Sequence, residues 1–316
     1  MAGVAVLLVL GSAAAWWAQR RYQQAGPLQA ERVVIVPHGA PGQVASALEQ
    51  AGVVTDARAL VAAAALTRGE GPLHAGEFAF PAGASIAEVL AVLRTARPVQ
   101  HRITVPEGLM AAEIATLLAR SEVLAGAVEV PPEGAVLPDT YNVERDTPAA
   151  ALLARAEAAM KHAVARIWAG RDPGLPLTDK EQLVVLASLV ERETAKPEER
   201  AHVAAVFFNR LRLGMRLQSD PTVAYAVSGG LPDAQHHLTR ADLGWASPYN
   251  TYAVAGLPPS PIASPGLAAL EAVAHPAQSA DLYFVADGSG GHAFARTLEE
   301  HERNVARWRQ LHAEMR

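Results

Sequence analysis

A strand–turn–helix pattern occurs twice in the first half of the chain and limits the possible folds more than any other feature. Residues 32–54 and 101–124 each begin with a β-branched run, pass through Val-Pro-x-Gly at 36–39 and at 105–108, and continue as an amphipathic helix pattern. Residues 73–94 give another short extended run and another helix. Because β-branched runs favour strands and Pro and Gly favour turns, the order predicts a small α+β module. Its individual residues are expected to serve packing.

The second half of the chain is predicted to be mainly helical. Helix patterns cover 149–170, 179–195, 202–214, 266–277 and 297–315, with a strand at 282–287. Thr178 and Glu181 have the spacing of a capping box, which predicts the start of the second of these helices. The segment 215–265 is rich in proline and is predicted to be rich in turns. The predicted fold class is therefore α+β.

The first residues form an apolar run that favours a membrane anchor or a cleaved signal peptide. Residues 2–18 carry no charge, and about 17 residues lie near the lower limit for crossing a bilayer. Trp16 and Trp17 fall where an interfacial aromatic belt would lie. Arg20 and Arg21 follow the run, and the positive-inside rule alone would place the body of the protein in the cytoplasm.

The composition excludes several classes of function. The 316 residues carry a formal net charge of −5, with no basic stripe, so nucleic acid is not an expected partner. Cysteine is absent, which removes disulfides, thiolate nucleophiles and zinc ribbons. There is no HExxH motif, and His236–His237 is an isolated pair, so neither a metal nor a cofactor is predicted.

Two carboxylates stand at the end of the apolar sequence LASLVERET at 186–194. On a helix, a rotation of about 100° per residue places Glu191 and Glu193 on nearly opposite sides. Apolar residues cover most of the helix surface, which predicts burial. Burial raises the pKa of a carboxyl group and can make it a general acid, whereas pairing with neighbouring basic side chains would make it structural. Periodicity alone leaves both interpretations open.

Longer motifs link these glutamates to a family. ASLVERETAKPEERAHVAAVFFNRLRLGMRLQSDPTVAYAV, SPYNTYAVAGLPPSPIASPGLAALEAVAHP, LYFVADGSGGHAFARTLEEHERNV and the LPDTY of 137–141 occur in this chain. Together they resemble the endolytic murein transglycosylases, the MltG (YceG-like) family. The resemblance covers nearly all of the chain from about residue 33. It implies that the first glutamate of the VExET element, Glu191, is the catalytic acid and that Glu193 is structural.

The resemblance also implies a reaction. A lytic transglycosylase cleaves the β-1,4 bond between MurNAc and GlcNAc in nascent peptidoglycan strands and leaves 1,6-anhydro-MurNAc ends. One carboxyl group protonates the leaving oxygen and then accepts the proton of the MurNAc C6 hydroxyl. Ordinary glycosidases need two carboxylates, but here the nucleophile is tethered to the substrate. A single acid such as Glu191 therefore suits the reaction.

Polar residues in two loop motifs are candidates for contacting the glycan, by analogy with other lytic transglycosylases. They are Gln218, Ser219 and Asp220 in LQSDPT and Tyr249, Asn250 and Tyr252 in SPYNTY. The same residue types are typical of turns without any ligand, so this alternative stays open. Asn209 and Arg210 are expected to form a buried polar network, and His292 is expected to be structural.

The predicted organisation combines these observations with the family resemblance. It comprises a transmembrane anchor or signal peptide at 1–18, a spacer at 19–32, a LysM-like module at 33–125, a junction at 126–148 and a mainly helical catalytic domain with short strands at 149–316. Because glycan strands lie outside the inner membrane, the resemblance places a single-pass protein with its body on the periplasmic or cell-wall side, against the charge rule. Penicillin-binding proteins of the elongation or division machinery are the partners that it implies.

Two other functions remain open from the sequence. One is a non-catalytic glycan-binding scaffold, in which Glu191 pairs with an arginine. The other is a muramidase that uses water, which would need a second carboxylate near Glu191. Asp220 is the candidate that the sequence offers for this second carboxylate.

Overall fold

The computed structural model describes residues 2–231 and 238–314. Contacts divide the chain into two compact units. The first comprises Met1–His101 and Asn142–Asp146, and the second comprises Arg102–Tyr141 and Thr147–Arg316. The predicted α+β class is confirmed, with about 48% of the residues in helices and with short strands. The predicted domain boundaries and the LysM-like character of the first module stay predictions.

The first unit contains a two-stranded antiparallel sheet. In it β1 (Arg32–Val36) pairs with β2 (Gly76–Phe80). The helices of this unit are α1 (Ala2–Gln23), α2 (Pro41–Gln50), α3 (Ala57–Leu66) and α4 (Ile86–Thr95). Its core includes Leu48, Phe78, Phe80, Leu90 and Leu93, which are fully buried. The strands and the helices α2 and α4 confirm the predicted pattern, whereas α3 was not predicted.

The prediction of a membrane anchor is not confirmed. In the part of the chain that the structure describes, no helix combines the length and the apolar character needed to cross a membrane. α1 has 22 residues, but its last turns carry Gln19, Arg20 and Arg21, and its apolar part is rich in alanine and glycine.

The second unit is mainly helical. Its strands are β3 (His101–Thr104), β4 (Leu124–Ala125), β5 (Thr140–Val143), β6 (Thr147–Pro148), β7 (Tyr283–Ala286) and β8 (His292–Ala295). The first residue of β3 and the last two residues of β5 are assigned to the first unit. Its helices are α5 (Ala111–Ala119), α6 (Ala149–Gly170), α7 (Lys180–Glu193), α8 (Arg200–Arg212), α9 (Asp220–Ser228), α10 (Leu267–Ala274) and α11 (Leu298–Glu314). β4 and β6 pair in parallel, and β7 and β8 form an antiparallel hairpin.

α7 lies at the centre of the second unit. Every residue from Val185 to Val190 is buried, as the apolar pattern predicts. Leu186, Leu189, Phe207, Phe208 and Leu270 are fully buried and bring α7, α8 and α10 into one core. Because α7 is surrounded by apolar side chains, the polar groups at its C-terminal end need partners supplied by other segments.

The predicted start of α7 is wrong by one residue. Asp179, not Thr178, is the N-cap, and its carboxylate accepts a 2.8 Å hydrogen bond from the backbone N–H of Gln182. Thr178 instead donates its hydroxyl to Asp179. Both residue types are good N-caps, and the one whose backbone is extended at the helix entrance takes the role.

The segment 215–265 contains α9, a helix that the sequence did not predict. Pro221 is the second residue of this helix. Proline is tolerated in the first helical turn because the N–H that it lacks would have no partner there. The helix ends at Gly229 in the left-handed conformation with φ of 64°.

Candidate active site

The carboxylate of Glu191 is enclosed at the C-terminal end of α7. Its side chain is 5% exposed, and Oε1 lies 3.0 Å from Nη2 of Arg200. Oε2 accepts a 2.9 Å hydrogen bond from the backbone N–H of Gly266. Burial raises the pKa of Glu191, and repulsion by Glu107 adds to the rise, while the Gly266 N–H and Arg200 lower it. The net pKa lies above the ordinary value for glutamate.

The segment that carries Gly266 is attached to one face of α7 at two points. Ser188 Oγ accepts a 3.1 Å hydrogen bond from the N–H of Ile262, and Glu191 accepts the one from Gly266. Residues three apart on a helix lie on the same face, which is why Ser188 and Glu191 hold the same segment.

Glu107 belongs to this site, although the sequence analysis assigned only packing to its turn. Its Oε2 lies 3.4 Å from the same Nη2 of Arg200 that contacts Glu191. Backbone hydrogen bonds from Gly108 N–H to the Ser264 carbonyl (2.9 Å) and from Ser264 N–H to the Leu109 carbonyl (2.8 Å) hold the turn in place. The second carboxylate beside Glu191 is therefore Glu107.

Glu193 faces the other side of α7 and has different partners. Ser219 Oγ donates a 2.5 Å hydrogen bond to its Oε1. Removal of the carboxylate from water raises the pKa of Glu193 to about 7, and the nearby Asp220 adds to the rise. The Ser219 hydroxyl and Arg210 act in the opposite direction. The predicted placement of the two glutamates on opposite sides is confirmed.

Arg210 organises the loop that leads into α9. Its Nη1 donates to the Leu217 carbonyl at 2.8 Å and to Oε1 of Gln218 at 3.3 Å. Gln218 has a φ of 52°, which is costly for a residue with a side chain. Asn209 donates to the Ser279 and Asp281 carbonyls. The predicted polar network of Asn209 and Arg210 is confirmed, and it holds Gln218 in this conformation.

The predicted glycan-contacting residues collect near Glu193 or within their own loop. Asp220 accepts a 2.6 Å hydrogen bond from the Tyr252 hydroxyl. Tyr249 shares a 2.7 Å hydrogen bond with Ser260. Asn250 is fully buried and donates to two backbone carbonyls. Among the hydrogen bonds of the described residues, none joins one of these predicted residues to Glu191, and contact with glycan stays a prediction for each.

Other predicted residues have partners of their own. His292 Nδ1 lies 2.7 Å from Oε2 of Glu199, and its backbone N–H donates to the same carboxylate, in agreement with a structural role. Over residues 2–231 and 238–314, no group of three or more His, Asp or Glu side chains is arranged to hold a metal ion. His236 and His237 lie outside the described residues.

Comparison with known sequences identifies the family. The sequence model of the YceG-like family matches residues 33–307. The chain belongs to the YceG-like family. Both glutamates, Arg200 and Glu107 lie within the match. A crystal structure described as that of a yceG-like protein from Listeria monocytogenes superposes on it with a TM-score of 0.54 at 26% sequence identity, covering 87% of this chain and 99% of that one.

Curated relatives of this YceG-like chain carry a name for an activity. An endolytic murein transglycosylase of Bacillus subtilis is 42% identical over 122 residues, 39% of this chain. An endolytic murein transglycosylase of Streptococcus pneumoniae is 38% identical over 176 residues, 55% of this chain. These matches span 33% and 32% of the relatives' own lengths, so the chain covers about a third of each.

Proposed function

We propose that this chain is an endolytic lytic transglycosylase that cleaves the MurNAc–GlcNAc β-1,4 bond of nascent peptidoglycan. The proposal rests on the name of its relatives and on one observation, the enclosed carboxylate of Glu191 with its raised pKa. Because its pKa is raised, this carboxyl group keeps its proton to a higher pH than an ordinary glutamate does, which favours a role as general acid.

Glu191 would act twice in this reaction. It first donates its proton to the glycosidic oxygen as the bond to C1 of MurNAc breaks. The resulting carboxylate is stabilised by Arg200 and by the Gly266 N–H, which are already in place. It then accepts the proton of the MurNAc C6 hydroxyl as that oxygen bonds to C1. The proton returns to Glu191, and no water is consumed.

Hydrolysis is the second candidate, and the position of Glu107 favours it. Two carboxylates that share one guanidinium nitrogen are close enough to flank a single bond, as in water-using glycosidases. Asp220, the candidate from the sequence, is instead bonded to Tyr252 on the side of Glu193. The chemistry of the new end separates the two reactions, because hydrolysis leaves a reducing MurNAc and transglycosylation leaves an anhydro ring.

The deciding experiment is mass spectrometry of uncrosslinked glycan strands incubated with the purified chain. We expect anhydro-ended fragments from the wild type and from Glu193→Gln, and a loss of about 10²–10⁴-fold in rate for Glu191→Gln. Reducing ends would establish hydrolysis. Loss of activity in Glu193→Gln alone would identify Glu193, on the other face of α7, as the general acid. Binding of glycan without any product would indicate the non-catalytic glycan-binding scaffold instead.

The substrate would set the location and the partners. Because peptidoglycan strands lie outside the inner membrane, the proposed activity requires the second unit to face the periplasm or cell wall. Nascent strands are found beside the enzymes that polymerise them, so a penicillin-binding protein is the proposed partner. Protease accessibility in intact cells and in lysed cells tests the location, and crosslinking to labelled penicillin-binding proteins tests the partner.

A further inference from the structure

We propose that Glu107 is a positioning residue that keeps Glu191 able to hold its proton by drawing the charge of Arg200 toward itself. The inference rests on the proposed function, in which Glu191 must be protonated at the start of each cycle. It assigns a role to the Val-Pro-Glu-Gly turn, which the sequence pattern assigned to packing.

The geometry places two acids on one nitrogen. Nη2 of Arg200 lies 3.0 Å from Glu191 and 3.4 Å from Glu107. A guanidinium carries a single positive charge, so it cannot neutralise both carboxylates. Arg200 is 9% exposed, and its Nε is buried without a hydrogen-bond partner among the described residues. Arg200 therefore contacts both Glu191 and Glu107 through the same nitrogen, Nη2.

The turn that carries Glu107 is fixed in place. Its backbone exchanges two hydrogen bonds with Ser264, and Arg192 Nη1 donates to the Gly108 carbonyl at 3.0 Å. Gly266 leaves the space that the Glu107 carboxylate fills, because a Cβ at this position would overlap that carboxylate. Its φ of −76° is open to any residue, so the need for glycine here is one of space.

Among the residues that the structure describes, few charged groups face Glu191. α8 supplies Arg200, and the turn supplies Glu107. α7 itself supplies Arg192, whose guanidinium bonds to the turn. Burial is the largest cause of the raised pKa of Glu191, Arg200 opposes it, and the charge of Glu107 adds to it. Removal of the Glu107 charge would leave Arg200 to Glu191 alone and would lower the pKa of the acid.

The first test is the pH profile of kcat/KM on uncrosslinked glycan for wild type and Glu107→Gln. A general acid loses activity as the pH rises through its pKa. We expect the alkaline limb to move to lower pH, so that activity at a fixed pH on that limb falls severalfold relative to activity on the acidic side of the profile. Gly266→Ala should move the limb in the same direction, because its methyl group displaces the Glu107 carboxylate without removing it.

The control variant is Glu299→Gln, which removes one negative charge, as Glu107→Gln does, but at an exposed position. Glu299 lies on α11 and pairs with Arg303 at the surface. Glu299→Gln should leave the profile where it is. An unchanged profile in both Glu107→Gln and Gly266→Ala would overturn the proposal. Loss of activity at every pH in Glu107→Gln, with reducing-ended products from the wild type, would also overturn it and make Glu107 a catalytic residue.

A second measurement does not depend on activity. The ¹³C NMR signal of the Glu191 carboxyl carbon, assigned by its loss in Glu191→Gln, can be titrated in the full chain with and without Glu107→Gln. We expect its midpoint to move to lower pH in the variant, and an unchanged midpoint would overturn the proposal. If wild type cuts no glycan, the proposed function fails, and this titration alone still decides whether the two acids share Arg200.

Discussion

The backbone N–H of Gly266 donates a 2.9 Å hydrogen bond to Oε2 of Glu191, across a sequence separation of 75 residues. Hydrogen bonds from N–H groups stabilise the charged form of a carboxylate. The bond therefore opposes the rise in pKa that burial causes, and in the proposed reaction it would stabilise the carboxylate that forms when Glu191 gives up its proton. Fixed groups of this kind need no rearrangement during the reaction.

Glu193→Gln should remove a pH dependence of folding stability. The pKa of Glu193 rises from an ordinary 4.5 to about 7 in the folded chain. The folded state thus holds this proton more tightly than the unfolded state. The resulting stability is fully present below about pH 4.5 and is lost as the pH rises through about 7.

Urea denaturation across this range measures the effect. We expect the unfolding free energy of wild type, relative to Glu193→Gln, to fall by about 1–3 kcal/mol between about pH 4.5 and about pH 8. Glu299→Gln, at an exposed position, provides the matched control. A difference between wild type and Glu193→Gln that stays flat with pH would contradict the prediction.

Arg200→Met should destabilise the chain strongly at a pH above the pKa of Glu191, because it leaves the charged, enclosed carboxylate without its cation. Loss of one partner of a buried ion pair costs about 3–5 kcal/mol. Adding Glu191→Gln to Arg200→Met should recover part of the loss, since the uncompensated charge is then gone. Arg303→Met removes an exposed pair and should cost less than about 1 kcal/mol. Equal losses in Arg200→Met and Arg303→Met would refute the argument.

Alanine substitutions at two glycines distinguish the stability cost of backbone strain from that of steric overlap. Gly134 has a φ of 72°, and a Cβ there would lie 2.6 Å from Cγ of Pro261. Gly126 has a φ of 83° with open space around it. Gly126→Ala should cost about 1–2 kcal/mol from the left-handed backbone alone. Gly134→Ala should cost a further 1–3 kcal/mol or so, because the methyl group overlaps Pro261. Similar melting temperatures for the two variants would show that the overlap relaxes without cost.

Asn250→Ala tests whether SPYNTY is a glycan loop or a structural one. Asn250 is fully buried, and its amide donates to the Leu243 carbonyl at 3.1 Å and to the Trp245 carbonyl at 2.8 Å. We expect a loss of about 1–3 kcal/mol in stability, because both acceptors lose a partner. We expect kcat/KM per folded molecule to stay unchanged. A raised KM at full stability would instead favour direct contact with substrate.

The sequence predicted long elements better than their ends. α6 was predicted with its observed bounds because 22 residues of alanine-rich helix pattern leave little ambiguity. α9 was not predicted because the many prolines of 215–265 favour turns, although proline also fits the first helical turn. At the start of α7, Thr178 and Asp179 are both good caps, and only the backbone geometry distinguishes them.

The site was predictable where it depends on a single helix. Rotation along α7 is enough to place Glu191 and Glu193 on opposite sides. Glu107 lies 93 residues before Arg200 in sequence, and no local pattern brings them together. The one available signal was the charged residue in the second Val-Pro-x-Gly turn, where the first copy has His38.

The long separations in this site also set the order in which it can appear during synthesis. When Arg200 has left the ribosome, Glu107 and Glu191 are both present, but the N–H of Gly266 is not. α7 can form early, because helix formation is local. The segment that carries Gly266 must first be translated, and its hydrogen bond to Glu191 then closes a loop of 75 residues. A growing chain therefore carries Glu191 without this hydrogen bond, which forms only after Gly266 has been translated and has folded onto the end of α7.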